Sequence, residues 1–399
     1  MTFPLCNHAR RPAIRRGVLV CLAGEPFRVF FISGALWSII GVALWPLFYA
    51  GKLTFYPGLT HARLMIECFG GAMVTGFLGT AGPRMASAPR LTPVEMAALF
   101  TLHTACGVLH LNRRFMAADA CFLALLVLLL LCLTVRLLRW RKEAPPPQML
   151  LALTGLLCGI AGSVMGLYPD WLSSPENYRL AGLLMYQGLL LPPVLGIGSF
   201  LFPRMLGGAF GEPAAPAARR ASLLRAVAAA ALMVGSFFIE VSGALVFACL
   251  LRAGTAAAYL LIEVRWRRPP EAAPRGTLAG GLKWALGMGL SGLAAAGLAY
   301  ERHVALEHLL YIGTFGLLML LVGSRVLFGH SGELPGFDRR AWIPRVLISL
   351  AFIAATTRAS ADFWPGITIS HYQYAAWSWG LTALLWLAWH RRRFAQRET

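Results

Sequence analysis

The run from Leu309 to Phe328 is apolar except for small or hydroxyl residues and Arg325. About 20 such residues carry an α-helix across a bilayer whose hydrocarbon core is about 30 Å thick. Runs of this kind recur along the whole chain. Backbone polar groups in lipid must be satisfied within their own segment, so the recurrence dictates an all-α, polytopic membrane protein. Twelve spans are expected, at about 28–50, 61–82, 93–111, 115–138, 148–168, 179–202, 221–242, 244–264, 277–299, 304–328, 341–358 and 373–390. With 58% hydrophobic and 13% charged residues and a mean hydropathy of +0.64, the chain is not a soluble core scaled up.

The net charge of +19 would point to nucleic acid in a soluble protein. Here the arginines fall in short loops between spans, so the lipid bilayer is the expected partner and nucleic acid is not. Arg10, Arg11, Arg15 and Arg16 precede the first span; Arg84 and Arg90 follow the second, and Arg139, Arg141 and Lys142 the fourth. Arg204, Arg219 and Arg220 follow the sixth, Arg265, Arg267, Arg268 and Arg275 the eighth, and Arg339 and Arg340 the tenth. Arg391, Arg392 and Arg393 close the twelfth. Alternate loops, such as YPDWLSSPEN (168–177) and ASADFWPGITIS (359–370), are poorer in basic residues; Arg113 and Arg114 are the exception. The positive-inside rule then puts both termini in the cytoplasm and the protein in the inner, cytoplasmic membrane. Tails of 1–27 and 391–399 flank one membrane domain, 28–390. The first 20 residues are basic but lack a long apolar core ending in a cleavage site, which reads as a cytoplasmic tail rather than a signal peptide. The eight cysteines show no CxxC pair and lie mostly inside spans, so neither a disulfide framework nor a zinc site is expected.

The second, sixth and tenth spans end in GPRM (82–85), FPRM (202–205) and GSRV (323–326), with arginines 120 and 121 residues apart. Each period holds four spans, which gives possible pseudo-repeats at about 28–142, 148–268 and 277–390. Helix ends at the cytoplasmic face commonly carry arginine, and that explanation stays open. PPP (145–147), GEPAAPAA (211–218) and RRPPEAAPRG (267–276) read as linkers.

Histidine is costly inside an apolar span and usually signals a partner. His61 opens the second span and His308 the tenth, both at the outer end on this topology. His110 ends the third span there, with His103 nearly two turns deeper on the same side. His303 precedes the tenth span, His371 the twelfth, and His330 closes the tenth at the opposite face. The 22 residues from His308 to His330 span about 33 Å as helix, so these two cannot share one ligand. Two neutral imidazoles facing each other across a bundle can fill both axial positions of a haem iron. An interfacial histidine is otherwise simply solvated, which is the plainer reading for His110, His303 and His371. Arg252 inside the eighth span and Glu240 near the outer end of the seventh read as a structural pair or as part of a polar path.

THARLMIECFGGAMVTGFLGTAGPRM (60–85) and ALEHLLYIGTFGLLMLLVGSRVLFGHSGE (305–333) resemble the two signature regions of the NnrS family, membrane proteins linked to nitric oxide metabolism and reported to hold haem and copper. FRVFF (27–31) resembles that family's opening motif, GSFLFPRMLGG (198–208) loosely resembles the end of its sixth span, and the resemblance covers nearly the whole chain in order. One departure is plain. Where the family opens its second span with His-x-His-Glu, only His61 matches; Arg63 and Leu64 stand at the other two positions. That puts copper in question. Glu67 and His103 are the possible substitutes, and His103 and His330 are the candidate metal ligands.

A more distant similarity is to the large subunit of haem-copper oxidases, with twelve spans in three four-helix units and haem-ligating histidines at the outer ends of spans two and ten. His61 and His308 fall on those positions, which implies that they are the axial ligands of a haem b. Leu306 replaces the oxidase ligand of the active-site haem, and the segments matching the copper-ligating spans, 189–198 and 223–243, contain no histidine. One six-coordinate haem and no binuclear centre is the expectation. Arg358 resembles the oxidase region that meets haem propionates, with Arg63 and Arg302 as alternatives. Arg63, two residues after His61, is expected to face away from the ligand, towards the interface. The function expected is a part in the nitric oxide or nitrosative stress response, or related redox chemistry; nitric oxide or another small diatomic ligand is a possible partner, and the electron donor and any turnover stay open. The alternatives are a twelve-helix secondary transporter without haem and a cofactor-free membrane scaffold.

Overall fold

The computed structural model describes residues 25–206, 215–264, 266, 276–333 and 342–396. Most of the N-terminal tail, the last three residues, Arg339 and Arg340, and parts of the linkers at 211–218 and 267–276 lie outside the described residues. The described residues contain helices and no strand.

Ten helices among the described residues are long and apolar enough to cross a membrane: α1 (Pro26–Tyr49), α2 (Gly58–Met85), α3 (Pro93–Leu111), α4 (Phe115–Arg139), α5 (Met149–Gly166), α6 (Pro175–Met205), α7 (Pro216–Val241), α8 (Leu245–Glu263), α10 (Tyr300–His330) and α11 (Trp342–Phe363). Two more, α9 (Thr277–Leu298) and α12 (Thr368–His390), have 22 and 23 residues and occupy the remaining expected positions. Glycines and Lys283 dilute the hydropathy of α9, and Tyr, Trp and His that of α12.

Local chemistry sets several boundaries. Thr92 caps α3: its hydroxyl accepts from the Glu95 amide at 3.3 Å while the Glu95 carboxylate accepts from the Thr92 amide at 2.6 Å, a reciprocal box followed by Pro93 in the first turn. The tight α3–α4 and α7–α8 turns each pass through one left-handed residue, Arg113 at φ 59° and Gly243 at φ 100°. The Arg113 guanidinium lies over the Phe55 ring at 5.1 Å, a local reason for a basic residue at the arginine-poor end.

Neighbours in sequence pack as neighbours in space, and α12 returns against α1. At the arginine-rich end Arg28 of α1 donates to the carbonyls of Arg393 and Phe394, at 3.2 and 2.7 Å, which fastens the start of the described chain to its end. Every fourth helix lies inside. In α2 and α6 the shares of buried residues are 89% and 72%, against 33% in each of α3, α7 and α11. The third of the series, α10, is 61% buried, a share that α1 also reaches. The glycines of α2 serve this packing: a Cβ on Gly71 would meet Phe122 at 2.6 Å, on Gly76 the Phe31 ring at 3.0 Å, and on Gly79 the Leu91 side chain at 3.0 Å. Small residues let helices approach closely where no hydrophobic force drives them together in lipid.

Gly155 gives the sharpest test, since a Cβ there would sit 2.3 Å from the Pro193 ring and 2.9 Å from the Leu189 carbonyl, neither of which can swing aside. Gly155→Ala should lower stability by about 1–3 kcal/mol, read as a fall in the thermal midpoint of the detergent-purified protein. Gly254→Ala, with nothing within 4 Å, should leave the midpoint unchanged or raise it slightly. Equal midpoints for the two variants would refute the packing.

Candidate haem pocket and buried metal donors

The three inner helices share an irregularity. Each contains a π-helical stretch: Leu64–Gly70 in α2, Leu183–Gly188 in α6 and Leu309–Gly316 in α10. A π turn admits an extra residue and widens the helix, and such turns are frequent at functional sites. Each stretch closes on a glycine pressed by a neighbour: Gly70 by Leu190, Gly188 by Cys158 and Gly316 by Trp379, with 3.3, 2.8 and 2.5 Å available to an added Cβ.

The widened segments face one cavity of about 710 Å³, within the range of about 300–1,000 Å³ usual for cofactor sites. His61 of α2 and His308 of α10 both line it, as does Arg358 of α11. The residues expected from sequence to meet over one ligand therefore do share a cavity. Both imidazoles are oriented in the same way. His61 Nδ1 lies 3.0 Å from the Gly41 carbonyl of α1, and His308 Nδ1 lies 2.6 Å from the Val304 carbonyl. A carbonyl only accepts, so Nδ1 carries the proton in each ring and Nε2 keeps its lone pair. That is the arrangement of metal-ligating histidines, whose second nitrogen is steered by an outer partner.

Around them, the Trp45 ring stands edge-on to His61 at 5.8 Å and Tyr311 edge-on to His308 at 5.8 Å. Arg358 is held by Asp362 at 3.4 Å and lies 4.2 Å over the Tyr372 ring, whose hydroxyl donates to Asp362 at 2.8 Å. A Cβ on Gly182 at the α6 wall would meet only the edge of Tyr186, at 4.0 Å, so this wall leaves room for a flat ligand. His303 also lines the cavity, but its ring is stacked on Tyr300 with centroids 4.5 Å apart.

Arg63 departs from expectation. It is not interfacial: its side chain is 11% exposed, it lines the same cavity, and it reaches across to Glu67 at 2.8 Å and Asp119 at 3.3 Å. Helical angle fixes only where the Cα sits, and a long side chain beside buried carboxylates turns towards them. Arg302 instead lies outside, over Phe363 at 4.9 Å.

Behind the cavity stand two buried polar networks. In the first, Glu67 of α2 accepts from Arg63 and from His110 Nε2 at 2.9 Å, with Cys106 Sγ at 3.4 Å and Cys68 Sγ 4.0 Å from that sulfur. Glu67, Cys106 and His110 are all buried, and among the described residues theirs is the group of three donors able to converge on one metal ion. His103 stands apart from it, with Nε2 at 2.9 Å from Ser33 Oγ, and His330 lies against Phe27 with ring centroids 4.7 Å apart. In the second network Arg252 donates to Glu240 and Gln187, both at 2.8 Å, and to Ser236 at 3.0 Å. Arg179 joins Glu240 to Glu307, at 2.7 and 2.6 Å, and Tyr311 donates to Glu307 at 3.0 Å. The Arg252–Glu240 pair read from the sequence is thus part of a lattice across α6, α7, α8 and α10. His110, expected from the sequence to be simply solvated at the interface, is instead fully buried, because the Glu67 carboxylate inside the bundle holds its imidazole; Cys106 and the roles of Arg179, Gln187 and Glu307 were not read from the sequence. The glycines closing the π turns, at 70, 188 and 316, were an available but weak signal.

Arg252→Met removes one member of a pair whose two side chains are both fully buried. It should destabilise the protein by about 3–5 kcal/mol, seen as a large drop in thermal midpoint, because Glu240 and Gln187 lose a donor with no water to replace it. Arg302→Gln, at an exposed site, should change stability by less than about 0.5 kcal/mol.

Compared with known families, residues 21–397 match the NnrS protein family model. Comparison with curated proteins gives no match.

Proposed function

The chain belongs to the NnrS family, and from that premise we propose that it is an integral membrane haem protein of nitric oxide or nitrosative stress metabolism, or related redox chemistry, with one haem b between His61 and His308. Membership links the protein to nitric oxide. The observation that carries the finer reading is the pair of imidazoles on one cavity, each with Nδ1–H committed to a backbone carbonyl. A haem held there by His61 and His308 would supply a redox-active iron. The chain's own part is to hold the two rings. Gly41 on α1 fixes His61 from outside its helix, and Val304 fixes His308 from within its own. Arg358 is available to a carboxylate at the outer end, and Trp45, Phe69 and Trp379 exclude water from the apolar wall. Held by two imidazoles, the iron would serve electron transfer or sensing rather than turnover.

The recurrence of inner, π-turned helices at every fourth position supports three four-helix units, about 28–142, 148–268 and 277–390. The clustering of arginine at one end supports an inner-membrane protein with both termini cytoplasmic. For copper, the donor set that fits best is Glu67, Cys106 and His110, since a thiolate with an imidazole in a dry site suits a soft or borderline ion. His103 and His330 belong to no such converging group among the described residues.

Detergent-purified protein should show a reduced Soret and α band and about one haem per chain. His61→Ala and His308→Ala should each abolish the bands, whereas His303→Ala and His330→Ala should keep them. Equal loss in His308→Ala and His330→Ala would overturn the assignment, and a haem-free protein that moves a solute would favour the transporter. Elemental analysis separates the second site: Cys106→Ser and His110→Ala should lose any bound copper while keeping haem, and copper retained in both would rule these residues out.

A further inference from the structure

A second cavity, of about 620 Å³, lies at the arginine-rich ends of α2, α4, α5 and α7, along the seam between the first and second groups of four helices. Its walls are leucine, notably Leu78, Leu133, Leu137, Leu153 and Leu156, and its floor is the Pro145–Pro147 linker. Its rim carries Arg136, Arg141, Arg219 and Arg220. Their states differ. Arg136 is committed to Glu95 at 2.6 Å and to the carbonyls of Pro89 and Arg90, both at 2.9 Å. Arg219 donates at 2.6 Å to the neutral Pro145 carbonyl, which leaves its charge uncompensated. Arg141 and Arg220 are exposed. None of these last three pairs with a carboxylate among the described residues, whereas the inward-facing guanidiniums of Arg63, Arg179 and Arg252 all do.

We infer that this crevice is a binding site for an anionic phospholipid, with acyl chain along the leucines and phosphate against Arg141, Arg219 and Arg220. A soluble anion would meet the rim but leave the apolar walls bare. A second protein segment would need apolar and acidic faces together. A lipid with net negative charge matches both halves. Basic pockets between helices on the cytoplasmic side take anionic headgroups for this reason, and guanidinium forks pair with phosphate oxygens. A zwitterionic lipid has the same chains but brings its own cation to a rim that already holds three. The site is remote from the histidine cavity: no residue lines both.

Native mass spectrometry of the full chain in mild detergent, titrated with phosphatidylglycerol or with phosphatidylcholine of identical chains, tests this. One phosphatidylglycerol should be retained roughly tenfold more strongly than phosphatidylcholine. Arg141→Gln/Arg220→Gln, at exposed positions that carry no packing, should erase the preference, and Leu153→Trp should weaken both lipids by narrowing the crevice. Equal retention of the two lipids by the unaltered protein would overturn the inference. So would a preference surviving in the double variant, displacement of the lipid by inorganic phosphate alone, or a dimer forming in place of lipid binding.

Discussion

Charge buried in a bundle surrounded by lipid has nowhere to go, and the architecture turns on how interior carboxylates are neutralised. Glu67, Glu240 and Glu307 are each held by a guanidinium from the same or a neighbouring helix, at 2.8, 2.8 and 2.6 Å, and the buried Asp119 shares Arg63 with Glu67 at 3.3 Å. Isolated, each would carry a desolvation penalty of several kcal/mol. Paired, they become cross-links that define which helices touch. Arg63 ties α2 to α4 through Asp119, and Arg179 ties α6 to α7 and α10. Gly166 leaves the room that makes the first possible, since a Cβ there would sit 2.4 Å from the Asp119 carboxylate.

The cross-links have a consequence for the cavity. Arg63, Arg179 and Glu307 all face it, yet all are engaged with one another's neighbours, so their charges are largely spent within the protein. What stays available is neutral and soft: two imidazoles, aromatic rings and aliphatic wall. Arg358 is the exception, balanced only at 3.4 Å by Asp362 at the end away from the arginine cluster. A flat apolar ligand with carboxylates at one edge would be met by complementary chemistry on each side. The same lattice braces the walls that carry the two rings.

Helix widening supplies the space. Three straight α-helices packed at usual distances of 8–10 Å leave no void of this size. A π turn at the same level in each inner helix bulges the backbone, and the glycine at its end lets a neighbour close in behind the bulge. Leu190, Cys158 and Trp379 do so at Gly70, Gly188 and Gly316. The three helices thus carry the same distortion with different side chains, histidine beside the π turns of α2 and α10 and arginine beside those of α2 and α6.

The sequence by itself determined that this is an all-α membrane protein, where its helices lie, which end gathers arginine, and that His61 and His308 sit at matching ends of the second and tenth spans. Those properties are local: apolar length and loop charge act residue by residue, and each span satisfies its own backbone. Only the tertiary structure decided that His110, Cys106 and Glu67 converge, that Arg63 turns inward, and that Arg252 and Glu240 belong to a lattice of four helices. No spacing such as CxxC announces a donor set drawn from two helices, because its geometry depends on how they cross. The π turns, too, close on glycines against side chains from elsewhere in the chain, a contact that no one-dimensional pattern contains.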